Sequence, residues 1–149
     1  EEGLVDPKRS LHFGMRGPLA GKEDLDFARD HGLRIFSMEH IKGGSLSSVY
    51  AEVKGWKENP TYLSFDVDCL DPAFAPGTGT PVVGGLSTYE MQQILRGFYI
   101  PNVVGGDVVE VCPPYDHASI TALAAVDIVF EMLNIMVAEL KKKYLFSCT

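Results

Sequence analysis

Residues 61–68 read TYLSFDVD, an apolar strand pattern that runs into two acidic residues. Asp66 and Asp68 are two positions apart, and side chains alternate between the faces of a strand, so we predict that both point to one side. Two carboxylates held close together repel each other unless a cation lies between them. Hard oxygen ligands of this kind suit Mg²⁺, Mn²⁺ or Ca²⁺ better than Zn²⁺. The alternative interpretation is a solvated acidic strand end without a ligand.

A long loop follows directly, with the sequence DPAFAPGTGTPVVGGL at residues 71–86. Its prolines fix φ and its glycines permit positive φ, so we predict a stiff loop of defined shape without regular structure. Long loops in compact domains are usually functional or disordered, and this composition argues against disorder. The alternative is a loop that only connects two elements.

Another acidic residue lies at the end of a second apolar strand, which we predict at residues 102–111. Strands that are apolar on both sides are usually parallel and covered by helices on both faces. Glu110 is well placed there to pair with a planar cation such as guanidinium through two parallel hydrogen bonds. Alternatively, Glu110 caps the next helix or pairs with a surface cation. Asp107 lies nearer the middle of the strand, and we interpret it as a structural hydrogen-bond acceptor.

The other segments alternate between strand and helix patterns. We predict further strands at residues 11–15 and 33–37, and helices at residues 23–31, 45–56, 87–98 and 119–143. Gly32 is the expected end of the first helix, Ser45 is a candidate cap of the second, and Ser87 forms a capping box with Glu90 at the third. Alternating strands and helices predict an α/β fold with a parallel sheet, which binds ligands beyond the carboxyl ends of its strands.

Composition and charge limit the partners of this 149-residue chain. Hydrophobic residues make up 46% and charged residues 22%, as in globular domains, and the net charge is −7. An acidic surface repels phosphate groups, so we expect no nucleic acid and no membrane among its partners. We find no unbroken run of about 18 apolar residues and therefore expect no membrane-spanning helix. The first residues lack a signal-peptide pattern, and without an initial Met they resemble the middle of a protein.

The cysteines and histidines suggest no site of their own. Cys69, Cys112 and Cys148 are too few and too scattered for a disulfide framework, and they fit a reducing compartment such as the cytoplasm or the mitochondrion. Acidic neighbours raise the pKa of a thiol, so we do not interpret Cys69 or Cys112 as a nucleophile. The four histidines have no metal-ligand spacing. We interpret them as structural, and only His117 is placed to line a cleft, although capping or loop packing is its expected role.

Taken together, these motifs resemble the ureohydrolase family, which includes the arginases and agmatinases. The resemblance rests on the runs SFDVD at 64–68, APGTGTP at 75–81, GGLS at 84–87, DVVEV at 107–111, YDH at 115–117 and TALAA at 121–125. The last two runs resemble the agmatinase branch more than the arginase branch. The resemblance covers essentially the whole chain but only the C-terminal half of the family. The Gly-Gly-Asp-His and Asp-Ala-His-x-Asp segments of the family's N-terminal half do not occur here.

This resemblance implies a three-layer α/β/α fold in which residues 1–149 are the C-terminal part of a single domain. It implies a pair of Mn²⁺ ions that activate water for attack on a guanidinium carbon, which releases urea and an amine. By position in the motifs, Asp66 and Asp68 match metal ligands, and Glu110 matches the carboxylate that orients the substrate. No residue of this chain is assigned as a catalytic acid or base. The expected partners are a small guanidino substrate and further copies in a homo-oligomer.

Two alternatives stay open beside this interpretation. Because the histidine ligands are absent, the chain alone is expected to be inactive, and it can instead be a non-catalytic half-domain that binds partners or stabilises an oligomer. A metal-dependent transferase acting on a nucleotide phosphate would also use Asp66 and Asp68. That transferase predicts a glycine-rich phosphate loop with a nearby Lys at the start of a helix, and the sequence has no such arrangement.

Overall fold

The computed structural model describes residues 2–44, 46–56 and 59–145, with side chains through residue 138. The chain divides into two compact units, Glu1–Ser45 and Leu46–Thr149. Each unit contains one pair of parallel strands. The predicted α/β fold with parallel strands is therefore confirmed, although the described strands form two pairs and not one continuous sheet. The assignment of residues 1–149 to one part of a single domain stays a prediction.

The first unit follows the predicted strand–helix–strand order. Its elements are β1 (Leu11–Met15), α1 (Asp26–His31), β2 (Arg34–Ser37) and α2 (Met38–Gly43). The α1 helix is shorter than predicted because residues Lys22–Leu25 form a 3-10 turn before it. It ends at Gly32 as predicted, where φ is +78°, a left-handed conformation that glycine adopts without steric cost. The rings of Phe13 and Phe36 stack across the strand pair at 5.1 Å.

The α2 helix was missed by the sequence analysis, which did not assign residues 38–43 to a helix. Ser37 caps it, because the Ser37 hydroxyl accepts a hydrogen bond from the His40 backbone N–H at 3.2 Å. Met38 and Ile41 are buried and anchor it to the unit. Six residues are too few to show a helical period in the sequence, so only the cap could have indicated this helix.

Among its described residues, the second unit contains three α-helices and the other strand pair. Its elements are α3 (Ser47–Lys54), β3 (Thr61–Asp66), α4 (Thr88–Gly97), β4 (Val103–Val109) and α5 (Ile120–Leu145). The predicted capping box is confirmed: the Ser87 backbone N–H donates to Glu90 Oε2 at 2.7 Å, and the Glu90 N–H donates to the Ser87 hydroxyl at 3.1 Å. The candidate cap Ser45 lies outside the described residues.

Both site-bearing strands are shorter at the carboxyl end than predicted. The β3 strand ends at Asp66, because the Asp66 carboxylate accepts the Asp68 backbone N–H at 3.0 Å and caps a 3-10 turn over Val67–Cys69. The β4 strand ends at Val109, because Glu110 has a φ of +65°, which is incompatible with extended backbone. The register runs in parallel from Thr61 opposite Val103 to the last residues of the two strands, Asp66 and Val109.

The α5 helix packs against β4 and α4. Glu131 of α5 is buried, and its Oε1 accepts a hydrogen bond from Arg96 Nε of α4 at 2.8 Å. One turn earlier, Gln92 donates to Asp127 Oδ2 at 2.8 Å. The carboxylates of Asp127 and Glu131 are therefore matched to partners on α4.

One segment of the described chain meets the length and composition of a membrane span. It runs from His117 to Ala138 with a mean hydropathy of 1.9, and 28% of it is buried. Asp127 and Glu131 interrupt this segment, so it contains no run of about 18 apolar residues. The expectation that no helix spans a membrane stays a prediction. The criterion alone is weak evidence for a membrane, since a core helix also meets it.

Candidate functional site

The structure places the two predicted metal-binding acids side by side, but by a different geometry from the one expected. Asp66 is the last residue of β3, whereas Asp68 lies in the following 3-10 turn, so strand alternation does not relate them. They are joined instead by the hydrogen bond from the Asp68 N–H to Asp66 Oδ1. Asp68 Oδ2 in turn accepts the Thr80 hydroxyl at 3.0 Å, which ties the acidic turn to the long loop.

The third predicted site residue, Glu110, belongs to the same acidic cluster. Burial raises the pKa of Asp66, the hydrogen bond from Asp68 opposes this effect, and the charges of Asp68 and Glu110 raise the pKa further. Asp68 and Glu110 thus both act on Asp66 at the carboxyl edge of β3 and β4, where Glu110 follows Val109, the strand partner of Asp66. That edge is where α/β sheets bind ligands. A cation placed among them would relieve their repulsion.

Glu110 is held in a restricted backbone conformation beside the loop. Its φ of +65° is rare for a residue other than glycine, and such conformations concentrate at functional sites. Glu110 Oε2 lies 3.7 Å from the position that a Cβ atom would take on Gly79. The absence of a side chain at Gly79 therefore leaves free space beside this carboxylate, which is itself exposed.

The loop predicted at residues 71–86 closes on itself through Asp71. Asp71 Oδ2 accepts the backbone N–H groups of Gly84 at 2.7 Å and Gly85 at 3.1 Å. The Asp71 N–H also donates to the Leu86 carbonyl at 2.8 Å, so the two ends of the loop are fastened together. A Cβ on Gly85 would lie 2.4 Å from the Asp71 nitrogen, and only glycine allows this approach. The loop is thus rigid without regular structure, as predicted.

The middle of the loop is bound to the segment that leads into α5. The Gly77 N–H donates to the buried Thr121 hydroxyl at 2.8 Å, and the Cys112 N–H donates to the Gly77 carbonyl at 2.8 Å. A Cβ on Gly77 would lie only 2.5 Å from the Cβ of Asp116. Asp116 itself accepts the N–H groups of Thr121 at 2.8 Å and Ala122 at 2.9 Å and so satisfies the first turn of α5. One network therefore fixes the loop, the turn after Glu110 and the helix.

Replacing Asp116 with Asn tests this network through its pH dependence. Burial alone would raise the pKa of Asp116, but the hydrogen bonds from Thr121 and Ala122 outweigh it and lower the pKa below the ordinary value of 3.8. A lowered pKa contributes stability that is present above pH 3.8 and is lost as the pH falls through the folded-state pKa. We expect Asp116→Asn to lower the urea-unfolding midpoint at neutral pH, with a difference from the parent chain that shrinks at acid pH. Glu39→Gln, which neutralises an exposed acid in the other unit, is the control, and a difference independent of pH would contradict the assignment.

Several site-forming residues received no role from the sequence. Asp71, Thr80 and Asp116 lie within the quoted motifs, but the partner of Thr80 and the loop-closing partners of Asp71 are 12 or more residues away. The Asp-Pro dipeptide at residues 71–72 was the one local signal, since Asp favours turns by bonding nearby N–H groups. The interpretation of Asp107 is confirmed, because its Oδ2 accepts the Tyr62 hydroxyl at 2.9 Å. His117 lies exposed in the 3-10 turn before α5.

The acids fit part of a site for a hard cation but not a whole one. Asp66 and Asp68 are carboxylates at one strand end, and burial, together with the charges of Asp68 and Glu110, raises the pKa of Asp66. Among the described residues, no group of three or more His, Cys, Asp and Glu side chains is arranged to hold a metal ion. Mn²⁺ prefers about six oxygen or nitrogen ligands, so further ligands would have to come from elsewhere.

Comparison with known proteins identifies the family. The arginase-family profile matches residues 1–134. The chain is 45% identical over 137 residues to a guanidinopropionase from Pseudomonas aeruginosa and 45% identical over 139 residues to an agmatinase from Cronobacter sakazakii. These matches cover 91% and 93% of this chain but 43% of each relative, so the chain spans less than half their length. The solved proclavaminate amidino hydrolase from Streptomyces clavuligerus superposes with a TM-score of 0.80 at 36% identity, covering 91% of this chain and 44% of that one. The chain belongs to the arginase family.

Proposed function

We propose that this chain supplies the acidic half of the active site of a ureohydrolase, which cleaves a linear guanidino compound into urea and an amine. One observation carries the proposal: Asp66 ends β3, Glu110 directly follows Val109, its partner on the parallel strand β4, and Asp68 is hydrogen-bonded to Asp66. A rigid loop, bonded to Asp68 through Thr80, lies against that cluster. Membership of the arginase family supports this reading of the cluster.

The three carboxylates have separate roles in the proposal. Asp66 and Asp68 hold part of a Mn²⁺ site, and Mn²⁺, when bound, supplies Lewis-acid activation of water. Glu110 is reserved for the substrate, because a carboxylate can pair with both N–H edges of a planar guanidinium in a bidentate geometry. The space beside Gly79 leaves Glu110 accessible to such a cation. The rigid loop and the strained backbone at Glu110 hold these groups in place before the substrate binds.

Agmatine is the substrate we propose first. Relatives at 45% identity carry the names agmatinase and guanidinopropionase, and the relative of solved structure is a proclavaminate amidino hydrolase. The substrates in those names share a linear guanidino group and differ in the remainder of the molecule. Guanidinopropionate and guanidinobutyrate are the next candidates, ahead of arginine and formiminoglutamate. We further propose that the complete protein is a homo-oligomer.

The experiment compares this chain with a completed enzyme. We define the chimera as the Pseudomonas aeruginosa guanidinopropionase in which this chain replaces the matching segment. The purified 149-residue chain, checked by intact mass, is expected to release no urea from agmatine with added Mn²⁺, because its described residues form no complete metal site. The chimera is expected to release urea from at least one of the guanidino substrates named above.

Two outcomes would contradict this proposal. Turnover by the chain of confirmed mass would show that the missing ligands are not needed. A chimera that binds Mn²⁺ and folds but releases no urea from any of these substrates would favour the alternative, a non-catalytic half-domain. The incomplete acid set is the observation that favours that alternative.

A further inference from the structure

The long loop after β3 has a buried part and an exposed tip. Gly77 and Thr78 are buried, whereas Gly79 and Thr80, which follow directly, are exposed. The tip is the part that meets the site, because the missing side chain of Gly79 leaves the space beside Glu110 Oε2. Whatever holds Gly77 therefore determines where the tip lies relative to Glu110.

A side chain of α5 holds Gly77 from one side. Thr121 is 0% exposed, and its hydroxyl accepts the Gly77 N–H at 2.8 Å. Burial raises the pKa of Asp116, but hydrogen bonds from the N–H groups of Thr121 and Ala122 and from the Thr121 side chain lower it. A carboxylate only accepts, so the Thr121 hydroxyl donates to Asp116 while it accepts from Gly77. With both functions engaged, this buried hydroxyl fixes Gly77 relative to the first turn of α5.

The chain just after Glu110 holds Gly77 from the other side. The Cys112 N–H, two residues after Glu110, donates to the Gly77 carbonyl at 2.8 Å. Thr121 is thus linked to the backbone after Glu110 through the N–H and the carbonyl of a single residue. The positive φ of Glu110 is a costly conformation that persists only where surrounding contacts enforce it. The link through Gly77 is such a contact.

We propose that Thr121 is a positioning residue for Glu110: through Gly77, its buried hydroxyl holds the Glu110 carboxylate and the space beside it in the arrangement that pairs with a guanidinium group. The identity of that cation, and nothing else in the inference, rests on the proposed function. Because Thr121 is fully buried, it contacts no substrate itself. A misplacement of about 1 Å can cost about 100-fold in rate, so a hydroxyl outside the site is able to control the reaction.

The test removes the hydroxyl and then restores it, in the chimera with added Mn²⁺ and the guanidino substrate that the chimera cleaves. Thr121→Val keeps the shape of the side chain but leaves the Gly77 N–H without its acceptor, whereas Thr121→Ser keeps the hydroxyl. We expect Thr121→Val to lower kcat/KM by at least about 10-fold and Thr121→Ser to stay within about twofold of the parent, both with unchanged manganese content. The matched control is Thr61→Val, at the amino end of β3, which is expected to keep the parent kcat/KM.

A double-mutant cycle separates positioning from a merely structural role. In a Glu110→Gln background, Thr121→Val is expected to change kcat/KM by less than about twofold, because the carboxylate that Thr121 positions is already gone. An equal fold-loss in both backgrounds would overturn the proposal, and so would parent kinetics in Thr121→Val. If Thr121→Val does not fold, Thr121→Cys replaces it, since a thiol is a weaker donor and acceptor, and the expected loss is at least about threefold.

Two further measurements do not depend on urea release. If the chimera is inactive, calorimetric titration with agmatine should give weaker binding for Thr121→Val than for Thr121→Ser and the parent, and equal affinities would overturn the positioning role. Inactivity with this pattern would contradict only the proposed function, whereas no binding to the parent would contradict both. If the chimera does not fold, amide hydrogen exchange is compared in the 149-residue chain. Thr121→Val should then speed exchange at Gly77 and Cys112 by at least about 10-fold, and unchanged exchange at Cys112 would overturn the link to Glu110.

Discussion

Replacing Asp68 with Asn in the chimera is expected to lower its affinity for Mn²⁺ by at least about 100-fold, since even outer-shell partners of a metal cost 10- to 100-fold when removed. The substitution keeps the size of the side chain and removes one negative charge. Its amide oxygen can still accept the Thr80 hydroxyl, so the loop contact is retained. Asp66→Asn is expected to act in the same direction. Urea release at limiting Mn²⁺ should fall in parallel and recover partly when Mn²⁺ is raised.

The control is another acid of the same strand pair. Asp107 lies on β4 and accepts the Tyr62 hydroxyl, so Asp107→Asn removes a charge near the sheet without touching the proposed metal ligands. Metal content measured after dialysis should fall for Asp68→Asn and Asp66→Asn and stay at the parent value for Asp107→Asn. If all three variants retain manganese, Asp66 and Asp68 are the solvated acidic strand end of the alternative interpretation.

The sequence predicted which acids meet, but not how they meet. Strand ends in a parallel α/β fold share an edge, and this rule predicted that Asp66, Asp68 and Glu110 lie at one edge of the strands. The period-two argument for Asp66 and Asp68 was wrong, because the Asp66 carboxylate binds the Asp68 N–H and turns the chain out of the strand. The end of each strand was predicted too far along the chain. In β3 a local hydrogen bond to the Asp66 side chain ends the strand, and after β4 the positive φ of Glu110 does so.

The contacts that make the loop rigid were beyond the reach of sequence patterns. Gly77 and Thr121 are bonded across 44 positions, and Asp71 and Gly85 across 14. Sequence rules for turns and caps describe contacts between residues a few positions apart, so composition predicted only a stiff loop. The contacts that attach the loop to α5 and close it on itself depend on the folded chain. The division of the strands into two pairs was likewise not predicted, since alternating strands and helices do not state which strands are neighbours.

Replacing Glu110 with Gln in the chimera is expected to lower kcat/KM by about 30- to 1,000-fold, the loss expected when a charge-assisted bidentate pair is removed from the transition state. The variant keeps the shape of the side chain and its position after β4. Its amide can accept only one of the two guanidinium hydrogen bonds and carries no charge. Manganese content is expected to stay at the parent value, in contrast to the variants of Asp66 and Asp68.

Measuring both the manganese content and the kinetics of Glu110→Gln distinguishes a substrate role of Glu110 from a metal-binding role. Its charge reaches Asp66, so a variant that loses manganese while binding substrate normally would move Glu110 into the metal site. Gly79→Ala offers a second probe of the substrate role, because the added methyl group would occupy space 3.7 Å from Glu110 Oε2 and should raise KM without changing metal content. Wild-type kinetics in Glu110→Gln would contradict the substrate role and show that this carboxylate is structural. The positive φ of Glu110 would then serve only to end β4 before the turn that begins at Pro113.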